Sequence, residues 1–274
     1  MEQKQLRYKD SKLSYRVSGE GKAIVLIHGF AEEGTVWRNQ FNLFPGHRFI
    51  IPDLPGSGSS ETIDNMSMEG LAKSVQAVLE AEGIDQCIMI GHSMGGYVTL
   101  AYADHFHHRL KGFGLFHSTA YADSEEKKET RRKGIDFIRR HGSEEFLKTT
   151  TPNLFAPATR NERKEVIEEH LLSIRNFSSE ALVNYYEAMI ARPDRTHLLT
   201  MTALPVLFVV GRHDAAGSFD DALKQSHMPQ LSYIHILENS GHMGMLEEPE
   251  ESNKALLSYI ELCETALSKE TKEQ

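Results

Sequence analysis

Gly91-His92-Ser93-Met94-Gly95-Gly96 is the stretch of this sequence with the most chemistry in it. A serine with glycine two residues away on either side fits a tight turn from strand to helix, where bulk at those neighbours would collide. The apolar run at 87–90 precedes it, and a helical pattern through Val98, Leu100, Ala101 and Tyr102 follows. Ser93 is therefore the expected nucleophile, raised above the C-terminal edge of a sheet, where open α/β sheets bind ligands.

A serine hydroxyl attacks poorly at neutral pH unless a base takes its proton and a third group orients that base. Among 14 histidines, His242 stands in the glycine-flanked loop Asn239-Ser240-Gly241-His242-Met243-Gly244, after the strand-like 233–237 and before a helix starting near Glu248-Pro249. It is the expected base. The expected acid is Asp214, at the exit of the apolar strand 206–210, where its carboxylate would accept the Nδ1–H of His242. Asp123, beyond the strand-like run ending near His117, is the rival, while Asp220 and Asp221 fall within the next helix pattern. The backbone N–H groups of Phe30 and Met94 are the expected oxyanion donors, and His28 at its strand end is read as holding the loop.

No metal or organic cofactor is expected. His105, His107 and His108 crowd one helix end, but no cysteine or carboxylate completes a ligand spacing there. The segment from Asp53 to Glu61 starts like a dinucleotide fingerprint, yet Glu61 occupies the third glycine position and Pro55 interrupts the approach; the Gly91 motif lacks the Gly-Lys-Ser/Thr of a phosphate loop. Met243 and Met245 read equally well as pocket lining or as packing.

The elements that must hold these residues follow from periodicity. Residues 1–17 alternate about a polar turn, as a hairpin does. Short apolar runs at 23–27, 49–51, 88–90 and 206–210, and at 110–116 with glycine interruptions, fit strands covered on both faces of a parallel sheet. Leu71, Val75, Val78 and Leu79 mark a helix behind an N-cap at Ser67, and Leu256, Ile260, Cys263 and Leu267 mark the last helix. Alternating strand and helix define an α/β class. From 121 to 197 only charged, amphipathic helical pattern appears, with register in Ile167, Leu171 and Ile174 and in Leu182, Tyr186 and Met189.

With 274 residues, 40% hydrophobic, 25% charged, 20 Gly and 9 Pro, the composition excludes collagen-like, coiled-coil and wholly disordered classes. The net charge of −9 argues against nucleic acid or anionic lipid as partner. No leader-like apolar segment opens the chain and none is long enough to span a bilayer, so a cytoplasmic location is expected. Cys87 and Cys263, far apart in sequence, read as buried thiols.

Taken together, His28-Gly29-Phe30, Asp53-Leu54-Pro55-Gly56-Ser57-Gly58, the Gly91 motif, Asp214 and Gly241-His242 resemble the α/β-hydrolase family, in the lidded branch of small esterases, thioesterases, carbon–carbon bond hydrolases and epoxide hydrolases. The resemblance implies an eight-stranded, mostly parallel sheet flanked by helices, with a core at 1–120 and 198–267, a helical cap at 121–197 and a flexible tail at 268–274. Serine in place of aspartate as nucleophile disfavours epoxide hydrolase and dehalogenase chemistry. Carbon–carbon hydrolases of this family usually carry a particular Arg and Trp near the site, and the single Trp37 here falls in the helix after the oxyanion loop. The expected activity is hydrolysis of a small-molecule ester or thioester of small to medium acyl group. The alternatives are a ligand-sensing protein with slow or single turnover and, as a minor one, a carbon–carbon bond hydrolase.

Overall fold

The computed structural model describes residues 1–41 and 45–270. Eight strands make one sheet: β1 (Glu2–Tyr8), β2 (Ser11–Gly19), β3 (Lys22–Ile27), β4 (His47–Pro52), β5 (Cys87–His92), β6 (Leu110–Phe116), β7 (Val206–Gly211) and β8 (Ser232–Leu237). Their order is β1-β2-β4-β3-β5-β6-β7-β8. The first hairpin and the β2/β4 pair are antiparallel, and every later neighbour is parallel. The mostly parallel eight-stranded sheet expected from the sequence is present.

Central strands are apolar throughout because both faces are covered. Every residue of β5 and of β7 is buried. Alternate side chains of β3 enter opposite layers: Val25 and Ile27 join one core, Ile24 and Leu26 the other. The first core is closed by α1 (Met68–Ala81) and α2 (Met94–Phe106), the second by α11 (Pro249–Glu270) through Leu256, Tyr259 and Ile260. Each large side chain so buried contributes roughly 1.5–3 kcal/mol, which makes this sheet a stiff platform for whatever stands on its edge. Ser67 caps α1 by accepting from Gly70 N–H, as its sequence position predicts.

Between β6 and β7 the chain has no strand and forms α3 (Glu125–His141), α4 (Ser143–Thr150), α5 (Pro157–Glu162), α6 (Lys164–Ile174), α7 (Ser179–Ala191) and α8 (Thr196–Met201). Ile138, Phe146, Leu147, Ile174 and Leu182 give this insertion a small core, into which Ala31 of the β3 loop also packs. The remaining helices are α9 (Phe219–Ser226) after β7 and the short α10 (Gly244–Glu247) after β8.

Trp37 lies in a helix after the β3 loop, as expected, of 3₁₀ type (Gly34–Gln40), and is wholly buried edge-on to Phe116 at 5.3 Å. The last helix continues to Glu270, so residues 268–270 extend it, while 271–274 lie outside the described residues. Both cysteines are free and buried. Among the described residues, no helix is long and apolar enough to cross a membrane.

Candidate active site

Ser93 closes the turn from β5 into α2 with φ 51° and ψ −118°, a left-handed conformation costly for any side chain. The flanking glycines make that turn fit: a Cβ on Gly91 would lie 2.1 Å from Gly95 O, and one on Gly95 would lie 2.5 Å from His28 O. Backbone bonds then fix it. Ser93 N–H donates to Phe116 O at 2.9 Å, and Ser93 O accepts from Ser118 Oγ at 2.7 Å.

Asp214 sits just past β7 and His242 between β8 and α10, the exits of neighbouring parallel strands. His242 Nδ1–H donates to Asp214 Oδ2 at 2.8 Å. Burial opposes charge on the ring, but the Asp214 carboxylate and its hydrogen bond prevail and hold His242 above its ordinary value. Asp214 itself is pushed up by burial yet held well below the usual carboxylate range by His242 and His117. Ser93, Asp214 and His242 all line one cavity of about 710 Å³ between the sheet edge and the insertion.

The expected oxyanion donors border the same space. Phe30 lines the cavity and stacks on Tyr186 of α7 with ring centroids 4.4 Å apart. A Cβ on Gly29 would lie 3.1 Å from Ser93 Cβ, so the 29–30 backbone passes directly beside the serine. Met94 is the first residue of α2, where a helix has no internal partner for its N–H.

Several residues the sequence did not single out organise this centre. Glu32 Oε2 accepts from Gly29 N–H at 2.6 Å and meets His92 Nδ1 at 3.0 Å, while His92 Nε2 meets the backbone oxygen of His242 at 2.9 Å. Both His92 nitrogens thus face oxygen atoms, one on Glu32 and one on the His242 backbone. Burial works against the Glu32 charge, but His92 beside it holds the carboxyl at about 2. Glu247 receives Gly241 and Met243 N–H on one oxygen and Ala156 N–H and Thr159 Oγ–H on the other, clasping the His242 loop to the insertion. His117, left-handed at φ 50°, places Nδ1 3.2 Å from Asp214 Oδ2. Apart from the local bonds of Glu32 with Gly29 and of Glu247 with Gly241 and Met243, these contacts join residues far apart in the chain, so no local motif announces them.

The other readings resolve. Asp123, the rival acid, is held by Arg131 and Arg192 and does not contact His242. Asp220 and Asp221 lie in the first turn of α9. His28 Nε2 accepts from Leu54 N–H and Nδ1 bonds Gly29 O, so the ring ties two loops together. Met243 and Met245 are buried in the core beneath the site. His117, Asp214 and His242 hold metal-type donor atoms within 4.8 Å of one another. Asp214 Oδ2 is shared by His117 Nδ1 and His242 Nδ1, and Asp214 Oδ1 accepts from the Ala216 and Gly217 amides.

Comparison with known proteins agrees with this architecture. Residues 22–131 match the family described as alpha/beta hydrolase fold. A 2-hydroxy-6-oxo-6-phenylhexa-2,4-dienoate hydrolase of Comamonas testosteroni is 23% identical over 92% of each chain. Among solved structures, a thermophilic esterase from Thermogutta terrifontis superimposes with a TM-score of 0.88 at 28% identity, over 96% of this chain and 99% of that one. The enol-lactonase from Burkholderia xenovorans LB400 shares the fold at 20% identity, with a TM-score of 0.86 over 94% and 99%. The chain thus has the α/β-hydrolase fold, and its residues 22–131 resemble that family.

Proposed function

We propose that the chain is a serine hydrolase cleaving a carboxylic ester or thioester of a small to medium acyl group. The observation that carries the reading is the 2.8 Å bond from His242 to Asp214 on the wall of the cavity that a strained, glycine-flanked Ser93 also lines. In this reading His242 Nε2 takes the Ser93 proton as Oγ adds to the carbonyl carbon. Charge collects on the former carbonyl oxygen, facing the N–H groups of Phe30 and Met94. The alcohol or thiol then leaves with the proton from His242, and the acyl group stays on Ser93. Water, deprotonated by the same imidazole, adds to the acyl-enzyme, and collapse returns the acid and the free serine. Each oxyanion donor of this kind is worth about 2.7–4 kcal/mol of activation free energy.

The test is a fluorophosphonate label followed by nitrophenyl acetate and butyrate turnover. Labelling at Ser93 and loss of both labelling and turnover in Ser93→Ala, with the thermal transition kept, are expected. Undiminished hydrolysis by that variant would remove Ser93 from the mechanism. Multiple turnovers per chain separate this reading from a ligand sensor that stops after one.

Carbon–carbon bond hydrolysis is the second reading, favoured by relatives named for it at 23% and 26% identity and by Arg131 and Arg192 on the cavity wall. Against it, the buried Trp37 is not among the residues lining the cavity. Loss of the absorbance of a 2-hydroxy-6-oxo dienoate, faster than nitrophenyl butyrate turnover, would favour it over the ester.

A further inference from the structure

Asp214 is unusually well supplied with donors. Its Oδ1 accepts from Ala216 N–H at 2.8 Å and Gly217 N–H at 2.9 Å, and its Oδ2 takes His242 Nδ1–H at 2.8 Å. An ionised carboxylate offers about four lone-pair positions, so one is left, on Oδ2. The ring nitrogen His117 Nδ1 stands 3.2 Å from that oxygen.

The fold has made room for this ring. A Cβ on Gly211 would come within 2.9 Å of His117 Cε1, and one on Gly244 within 2.5 Å of its Nε2, so any other residue at either place would push the ring aside. The backbone is pinned by His117 N–H donating to Val209 O at 2.8 Å, and the side chain is fully buried. Burial holds His117 down to about 4, despite the Asp214 carboxylate beside it, so the ring is neutral and carries one proton.

Which nitrogen carries that proton decides the role. Gly211 N–H also points at His117 Nδ1, at 3.2 Å, and one ring nitrogen either accepts from Gly211 or donates to Asp214. With the proton on Nε2, a lone pair would face a buried carboxylate, and the N–H would be stranded where Nε2 has no partner among the described residues. With the proton on Nδ1, the Nε2 lone pair and the Gly211 N–H go without this partner, but repulsion between a ring lone pair and a buried carboxylate is replaced by a charge-assisted bond, which decides between the two.

We infer that His117 is a positioning residue for the Asp214–His242 pair: its Nδ1–H fills the last open lone pair of the Asp214 carboxylate, sharing Oδ2 with His242 and weakening the pull of that oxygen on the His242 proton. This rests on reading Ser93, His242 and Asp214 as the working relay. The charged or titratable groups that bear on His242 are Asp214 and His117 from the exits of β7 and β6, His92 at 5.0 Å between ring centroids, Glu32 from the β3 loop and Lys127 from α3. Of these, only His117 and His242 share an oxygen of Asp214.

Long-range proton–nitrogen NMR on the unaltered protein reads the tautomer directly. A protonated Nδ1 on His117 is expected, and a protonated Nε2 overturns the inference. Two variants test its consequence. His117→Phe keeps the ring volume and removes the donor, so the NMR titration of His242 should move up by about one pH unit. His117→Asn keeps a donor near the Nδ1 position and tolerates a left-handed backbone, so His242 should titrate as in the parent. An unmoved His242 in the Phe variant, or equal shifts in both, would sink the role. None of these readouts needs a substrate. A chain that hydrolyses no ester would overturn the proposed function while leaving this result legible.

Discussion

At the scale of single residues, the centre depends as much on buried acids as on the three residues that define the proposed chemistry. Glu32 shows why. It is 3% exposed, yet its carboxylate is charged because it accepts from Gly29 N–H and sits against His92. His92 passes that support to the backbone oxygen of His242, and Gly29 lies against Ser93. One carboxylate therefore braces both the loop expected to hold the oxyanion and the loop that carries His242. In Glu32→Gln the neutral amide still accepts from Gly29, but the charge-assisted bond to His92 is lost, a change of about 1.5–3 kcal/mol. Urea unfolding should register that loss, and fluorophosphonate labelling of Ser93 should slow without stopping. A variant that unfolds and labels like the parent would mean that Glu32 braces nothing.

At the scale of elements, Asp123 does for the insertion what Glu32 does for the site. It lies between β6 and α3, accepts from Arg131 Nε–H of α3 at 2.5 Å, and takes Arg192 Nη2–H from the end of α7 at 2.9 Å. Arg192 also donates to Met189 O and Tyr121 O, and its guanidinium stacks 3.8 Å from the Tyr97 ring centroid on α2. Asp123→Asn would leave the buried Arg192 and the partly buried Arg131 guanidinium groups without their anion, a loss of about 3–5 kcal/mol for a broken buried pair. Limited proteolysis should then cut within 121–197 well before the sheet. Cleavage confined to other segments would show that this clasp does not hold the insertion. The same residue marks where sequence reading stops. Strands β3, β5 and β7 were legible because burial on both faces leaves unbroken apolar runs, and Ser93 because its turn demands Gly91 and Gly95. Asp123 stood in the sequence as a rival acid, since its position after β6 resembles that of Asp214 after β7; only the arrival of Arg192, 69 residues later, separates them. His117, 97 residues from Asp214, and Glu247, 91 from Ala156, were silent for the same reason. A contact between distant segments has no period for a pattern to detect.

At the scale of the whole molecule, folding buries histidines that must stay neutral, and this sets how stability follows pH. Burial holds both His117 and His170 down to about 4 from an ordinary 6.5, and pushes His28 the same way. Below pH 6.5 the unfolded chain takes up protons at these positions while the folded chain does not, so stability rises with pH across the window from about 4 to 6.5. Glu247, raised by burial, works in the opposite direction above its ordinary 4.5, one group against three. Glu32, Asp123 and Asp214 are depressed in the folded state, so their contribution is intact above the ordinary carboxylate range and is lost only at lower pH. His117 and His170 should therefore each cost about 2 kcal/mol by pH 5, at about 1.4 kcal/mol per unit below 6.5. His170, on α6 of the insertion, isolates the effect, because it lies outside the relay and beside the Phe155 ring at 6.1 Å. In His170→Phe the drop in urea-unfolding free energy between pH 7 and pH 5 should be smaller than in the parent by about 2 kcal/mol. A variant whose stability falls as steeply as the parent's would assign the acid sensitivity to the carboxylates, and would mean that His170 is protonated in the fold.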